Sequence, residues 1–240
     1  MGINDIIHDG VSIKIYSADE PDKVVIHFND DITAYYKTKK AIIKDKGIYC
    51  NGISSILSQA IKDGGVPTYF IRKLDENEPL CYRVDVIPLS MIVRNVIAGS
   101  LAKRLGLKPG TVPEMTIYEL CYKSEELGDP LINDSHAVAL GLVSADELQQ
   151  IHEMTRKING IIRPMFDKVG ITLVDFKIEF GRMPDGSLAM ADDITPDNSR
   201  LWDKATGLSL DKDRFRHDNG MVGDSYRSVY EKLKSLSETK

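Results

Sequence analysis

Residues 173–181 read Leu173-Val174-Asp175-Phe176-Lys177-Ile178-Glu179-Phe180-Gly181. Apolar and charged residues alternate here with period two, the mark of a strand whose two faces differ. Asp175, Lys177 and Glu179 share one face. Three charges on a strand otherwise rich in apolar residues are costly to bury unless they pair or bind something. The turn Met183-Pro184-Asp185-Gly186 follows, and Ser187 to Asp192 reads as a second strand ending in Asp192-Asp193. A hairpin of these two strands brings Glu179 near Asp192. Two carboxylates with a lysine between them suit a Mg²⁺–phosphate site, because Mg²⁺ takes carboxylate and phosphate oxygens and lysine neutralises phosphate. A solvated face with internal salt bridges has the same pattern.

Upstream, Ser144-Ala145-Asp146-Glu147 is a capping box, with Ser at N-cap and Glu at N3. It opens the longest predicted helix, with an apolar stripe through Leu148, Ile151, Met154, Ile158, Ile161 and Met165. Pro164 is expected to kink it, and Val169-Gly170 to end it. The first 90 or so residues read as strands and turns: Val11 to Tyr16 and Val24 to Phe28 as a hairpin, then Pro67 to Lys73 and Leu80 to Pro88. One helix interrupts them, with Ile53, Ile56, Leu57, Ala60 and Ile61 at helical spacing before Gly64-Gly65. Met91 to Val96 is strand-like, Lys108 to Pro130 is loop-rich, and the C-terminal helix carries Tyr226, Val229, Tyr230 and Leu233. Strands first and mixed elements later predict an α+β fold in two lobes, 1–88 and 89–240.

Two more clusters bear chemistry. Arg94, Asn95, Ser100, Arg200, Lys212, Arg214 and Arg216 form a basic and polar set. Guanidinium forks match phosphate and carboxylate, and Gly99-Ser100 offers close backbone approach to an anion. Unrelated surface arginines would read the same way. Residues 129–136, Asp129 to His136, fit a turn with polar capping residues. No Ser-His-Asp, HExxH, CxxC or Walker A pattern is present.

Composition narrows the class. The chain has 240 residues, 42% of them hydrophobic and 28% charged, with net charge −5. A mildly acidic chain is not drawn as a whole to polyphosphate backbones, which argues against nucleic-acid or membrane-surface partners. Cys50, Cys81 and Cys121 lack pairing or metal spacing and read as reduced thiols of a cytoplasmic protein. No apolar run approaches the ~20 residues that span a bilayer. The start, MGINDIIHDG, lacks the basic and apolar regions of a secretory signal, and Ile6 stands where N-myristoylation wants Ser or Thr.

Five blocks, IVRNVIAGSLAKRLG, GDPLINDSHAVALGL, LVDFKIEFG, DDITPDNSRLWD and LDKDRFR, resemble in order the signature blocks of the SAICAR synthetases. The resemblance covers residues 84–220, and the chain length suits a stand-alone form with no fused carboxylase. It implies a small antiparallel β lobe, like a kinase N-lobe, over a larger α/β lobe, with ATP in the cleft between them. It implies an ATP-dependent ligase of purine biosynthesis that joins L-aspartate to CAIR through an acyl phosphate, giving SAICAR, ADP and phosphate. It also implies small-molecule substrates and a homodimer or higher homo-oligomer. By resemblance, Lys177, Glu179 and Asp192 are catalytic, and Glu179 and Asp192 hold Mg²⁺. Gly10, Lys123, Lys177, Glu179 and Asp192 serve ATP. Arg94, Ser100, Asp129, Arg200, Lys212 and Arg216 serve CAIR and aspartate.

The N-terminal lobe departs from the family pattern. Where the first strand usually reads Gly-Lys-Ala-Lys, this chain has Gly10-Val11-Ser12-Ile13. Each missing charged hydrogen bond to ATP phosphates is worth about 1.5–3 kcal/mol. Lys14 falls on the opposite strand face. A usually Gly-containing loop reads Tyr35-Tyr36-Lys37-Thr38-Lys39-Lys40, in which Lys37 or Lys39 is a candidate replacement charge. Three functions fit: a SAICAR synthetase with a divergent phosphate clamp, a paralogous amide ligase acting on another heterocyclic carboxylate, or a non-catalytic nucleotide-binding protein. Retention of Lys177, Glu179 and Asp192 argues against the last.

Overall fold

The computed structural model describes residues 5–35 and 38–238. The first residues of the MGINDIIHDG start, together with Tyr36 and Lys37, lie outside them. Strands β1 (Ile6–Asp9), β2 (Ile13–Ser17) and β3 (Lys23–Phe28) form an antiparallel meander, so the hairpin expected from the N-terminal pattern is present. The hairpin β4 (Asp31–Ala34) and β5 (Lys39–Ile42) stands beside it. Helix α1 (Lys46–Asp63) follows and starts before the Ile53–Ile61 apolar spacing that predicts it. Its first turn carries no apolar stripe, and what fixes it is Asp30, whose carboxylate accepts the backbone N–H groups of Asp45 (3.1 Å) and Gly47 (2.9 Å). Gly64 and Gly65 end the helix as expected. Strands β6 (Phe70–Lys73) and β7 (Pro79–Tyr82) complete a five-stranded sheet of order β1-β2-β3-β7-β6.

The second sheet has order β10-β9-β8-β11-β12, with β13 also paired to β11. Its strands are β8 (Asp85–Arg94), β9 (Ile117–Tyr122), β10 (Leu131–Ile132), β11 (Ile171–Arg182), β12 (Leu188–Met190) and β13 (Ser199–Asp203), all antiparallel. The stretch 80–88 is thus split between β7 and β8, and the expected lobe boundary at 88/89 falls inside β8. Helices α2 (Gly99–Leu105) and α3 (Asp134–Ala139) are short, and α3 emerges from a segment that reads as a turn. Asn133 and His136 form a capping box for α3, so the polar residues expected to cap a turn cap a helix instead. Strand β9 lies in the segment called loop-rich because Pro and Gly flank it on both sides; pairing with β8 overrides that context.

Helix α4 (Ala145–Lys168) starts on the predicted capping box and runs through Pro164 to Val169-Gly170. The last helices are α5 (Asp213–Arg216) and α6 (Val222–Glu238). The main core packs α1, α4 and α6 on the second sheet through Ile53, Leu57, Ile158, Phe166, Phe176, Ile178 and Val229. A second core lies under the first sheet and joins Val24, Ile26, Phe28 and Phe70 to Phe215, Val222 and Tyr226 from the C-terminal segment. The three cysteines are buried thiols. Among the described residues no helix is long and apolar enough to cross a membrane.

Candidate active site

Strand β11 lies between β8 and β13, and its apolar residues Phe176, Ile178 and Phe180 are buried in the main core. Its charged residues therefore meet neighbours from several elements. The β11–β12 hairpin delivers the juxtaposition read from the sequence: Ala191 N–H donates to the Glu179 carbonyl at 2.9 Å, which sets Asp192 beside Glu179. Lys177 Nζ donates to Glu179 Oε1 at 2.9 Å, and Ser90 Oγ donates to the same oxygen at 3.3 Å. Lys123, from the end of β9, pairs with Glu179 Oε2.

Electrostatics divides the two carboxylates. Burial works against charge on Glu179, but Lys177 and Lys123 outweigh it and hold the carboxyl below its usual range. Burial also opposes charge on Lys177, and Glu179 and Asp192 overcome it and raise the ammonium's pKa. Asp192 is under-compensated. Burial, then the charges of Glu179 and Asp193, push it well above the ordinary carboxylate range, with Lys177 opposing. Its Oδ1 accepts the Asp193 N–H at 2.9 Å. A carboxylate beside a second one and short of cation would suit a divalent ion. No three metal-ligating side chains converge among the described residues, so a metal here would need phosphate or water oxygens to complete its shell.

Asp175, one strand position pair further on, anchors a second system. Arg94 Nη1 donates to Asp175 Oδ2 at 3.0 Å, and Arg200 Nη1 donates to the same oxygen at 2.9 Å. Arg94 also donates through Nε to Glu119 (2.7 Å) and through Nη2 to Ser100 Oγ (3.1 Å). Arg200 Nε reaches Asp213 at 2.8 Å, and Asp213 accepts from Arg216 at 2.5 Å. Gly99, at φ +53°, allows this approach: a Cβ there would lie 2.5 Å from the Arg200 guanidinium. Four expected substrate residues, Arg94, Ser100, Arg200 and Arg216, thus form one network, in which Arg94 is buried beneath the half-buried Arg200.

Lys212 and Asp129 stand apart from it. Lys212 lies near Asp197, and burial, reinforced by Arg216 and Lys46, lowers its pKa against the pull of Asp197. Asp129 is exposed, at φ +49°, and its Oδ1 accepts the Ser124 N–H at 2.9 Å. Its charge reaches Lys177, which places it on the Glu179 side. Gly10 sits in the β1–β2 turn, where a Cβ would meet the Ile13 carbonyl oxygen at 2.8 Å.

The divergent N-terminal positions have structural uses. Ile13 packs with Ile15 against the core under the first sheet, and Lys14 between them pairs with Asp9 at 3.1 Å. Lys39 does not supply a spare charge. Its Nζ donates to the Phe215 carbonyl (2.5 Å) and to Asp218 Oδ1 (2.7 Å) and sits 4.8 Å over the Phe215 ring. Tyr35 Oη donates to the Arg216 carbonyl at 2.7 Å. The altered hairpin therefore clasps the segment that carries Arg216. Sequence reading missed Lys46, Glu119, Asp197 and Asp213; Lys46 and Asp197 pair across 151 residues, and Glu119 and Asp213 meet arginines on other elements, so only their charge in otherwise apolar or signature stretches marks them.

Fold and site together define an ATP-dependent ligase that forms a C–N bond. A family model described as SAICAR synthetase matches residues 6–233. A phosphoribosylaminoimidazole-succinocarboxamide synthase of Fusobacterium nucleatum is 50% identical over 227 residues, covering 95% of this chain and 96% of its own. The crystal structure of the synthase of that name from Ehrlichia chaffeensis superposes with TM-score 0.93 at 40% identity, covering 96% of this chain and 98% of that one. A SAICAR synthetase in complex with ADP gives TM-score 0.91 at 42% identity, covering 95% and 97%. The chain belongs to the SAICAR synthetase family.

Proposed function

We propose that this chain uses ATP to join L-aspartate to the imidazole carboxylate of CAIR, yielding SAICAR, ADP and phosphate in purine biosynthesis. A carboxylate resists amine attack because its charge is delocalised over both oxygens. Transfer of the γ-phosphoryl group to a carboxylate oxygen, with ADP leaving, gives an acyl phosphate. The aspartate amine then attacks the acyl carbon, and phosphate departs with the C–O bond.

The observation that carries this reading is the charged face of β11. Residues two apart on a strand are about 6.6 Å apart, so Asp175 and Glu179 are separated by about 13 Å, the scale of a ribonucleotide. Ser100 and Arg200, backed by Arg94, suit the nucleotide phosphate at one end. Lys177 and Lys123 at the other suit the reacting carboxylate and the ATP phosphates, with Gly10 on the opposing lobe. Asp129, Lys212 and Arg216 serve the remaining polar groups, including those of aspartate. Glu179 and Asp192 would hold Mg²⁺, which when bound offsets phosphate charge. Pre-set charges of this kind stabilise the transferring phosphoryl group without reorganisation. The substrates are small molecules, and we place the enzyme in the cytoplasm as a homodimer or higher homo-oligomer.

The test is turnover with ATP, CAIR, aspartate and Mg²⁺. SAICAR, identified by mass spectrometry, and ADP are expected together and only when all four are present. ATP turnover with a different heterocyclic acid and none with CAIR would instead assign the chain to a paralogous ligase.

A further inference from the structure

Lys46 is fully buried, at the first turn of α1, with no acidic residue in that turn. Both facts count against it. A buried ammonium loses its hydration, and a cation at a helix N-terminus opposes the macrodipole. Its ion partner is Asp197, at 2.9 Å from Nζ to Oδ2. The Tyr226 hydroxyl of α6 donates to the other oxygen, Oδ1, at 2.8 Å. Burial depresses the ammonium's pKa and Asp197 more than restores it; Asp193 adds to that pull. Asp197 in turn is held below its usual range by Lys46 and Lys212 in spite of burial.

The helix start that bears Lys46 is itself fixed. Asp30 accepts two of its backbone N–H groups, and Gly47 lets it press on β3, since a Cβ there would sit 2.1 Å from the Phe28 carbonyl oxygen. Asp197 closes the loop that begins at Asp192. Within it, Asn198 Nδ2 donates to the Asp193 carbonyl, and Lys177 N–H donates to the Asn198 carbonyl at 3.1 Å. A shift of Asp197 would therefore pass through a few bonds to Asp192 on one side and to Lys177 on the other.

We infer that Lys46, through Asp197 and Tyr226, is a positioning residue for the carboxylates and lysine that meet Mg²⁺ and the ATP phosphates. It is sealed from the site and acts only through the loop it holds. A buried ion pair is a poor source of stability compared with apolar side chains of like volume. Its cost is explained if what it maintains is the geometry of the Asp192–Asp197 loop. This rests on the proposal that Glu179 and Asp192 serve Mg²⁺ and ATP.

The test compares Lys46→Met, Lys46→Met/Asp197→Asn and Tyr226→Phe with the parent protein. The readouts are the melting temperature, the Kd of Mg²⁺·ADP by calorimetry, and KM for aspartate. The double variant removes both members of the ion pair and leaves only Lys212 with one acidic neighbour fewer, so its melting temperature should lie well above that of Lys46→Met alone. Its Kd for Mg²⁺·ADP should nonetheless remain at least tenfold weaker, with KM for aspartate changing by less, since only the loss of the Asp197 charge beside Lys212 reaches that side. Tyr226→Phe, which removes a single hydrogen bond to Asp197, should weaken Mg²⁺·ADP about threefold and decides the matter if neither lysine variant folds. Folded variants that bind Mg²⁺·ADP as the parent does would overturn the inference. A parent protein that binds no Mg²⁺·ADP would instead sink the underlying assignment of Glu179 and Asp192.

Discussion

Glu179 is the residue on which two lysines and a serine converge, and its neutral isostere isolates its charge. Glu179→Gln should keep the fold, because Ser90 and Lys177 can still bond an amide oxygen. Turnover should drop about 10²–10³-fold, the usual loss for one preorganised electrostatic contact, and raising Mg²⁺ should not restore it. Unchanged Mg²⁺ dependence of the rate would refute a metal role. At this scale the sequence was informative where partners are close along the chain. Lys177 and Glu179 are two residues apart, and a four-residue turn folds Asp192 back toward them. It was silent where partners are remote. Asp175 reads as one more charge on the strand face, yet it joins Arg94, 81 residues upstream, to Arg200, 25 residues downstream. Nothing in local pattern sets such a pairing; the strand order of the sheet does.

Among the elements, α4 shows how a legible signal gains an unexpected partner. Its capping box is evident in Ser144 and Glu147, but Glu147 also takes a two-pronged bond from Arg182 at the end of β11, at 2.7 and 3.1 Å. The Arg182 bonds, followed by the Ser144 N–H, lower the Glu147 pKa to about 2. A depressed carboxylate contributes stability that is present above its unfolded value, about 4.5, and is lost as pH falls through about 2. Glu147→Gln should therefore melt lower than the parent at pH 7, with the gap closing between pH 4.5 and 2. Thermal melts across that range would show it, and a pH-independent gap would point to lost packing instead. Strand β2 gives a contrast between two neighbouring sites. Val11→Lys, in the turn before β2, should tighten Mg²⁺·ATP with little change in melting temperature. Ile13→Lys should destabilise, by about 1 kcal/mol or more, because it withdraws an apolar side chain from the core under the first sheet. Binding and melting of the two variants side by side would test this, and equal behaviour would contradict the assigned packing. The short elements α3 and β9 escaped sequence reading because the Gly, Pro and polar turn residues around them signal loop, whereas a side-chain cap and cross-strand pairing decide otherwise.

For the molecule as a whole, two antiparallel sheets and a shared C-terminal segment make the lobes interdependent. Phe215, Val222 and Tyr226 complete the core of the N-terminal sheet, and Tyr35 and Lys39 bond the carbonyls of Arg216 and Phe215 in return. Tyr35→Phe with Lys39→Ala should release this segment, so that trypsin cuts after Arg214 or Arg216 several-fold faster than in the parent while α4 stays protected. Equal cleavage rates would mean that the core alone secures it. The two-lobed α+β architecture was visible in the order of strand-like and helical segments. The clasp was not, since it depends on Tyr35 and Lys39 meeting carbonyls more than 170 residues downstream.

The pairing of β8 with β11 has a consequence for how the protein is made. These adjacent strands, each central to the second sheet, are separated in sequence by α2, β9, β10, α3 and α4. Closing so long a loop must precede the contacts that reward it, which slows the search for the native topology. On a ribosome, the arginine network stays incomplete until β13 and α5 have emerged, because Arg200, Asp213 and Arg216 come last. A nascent chain halted near residue 185 would hold Arg94 and Asp175 without Arg200, leaving the acidic face of β11 half matched. The site is therefore among the last parts of the molecule to take shape during synthesis.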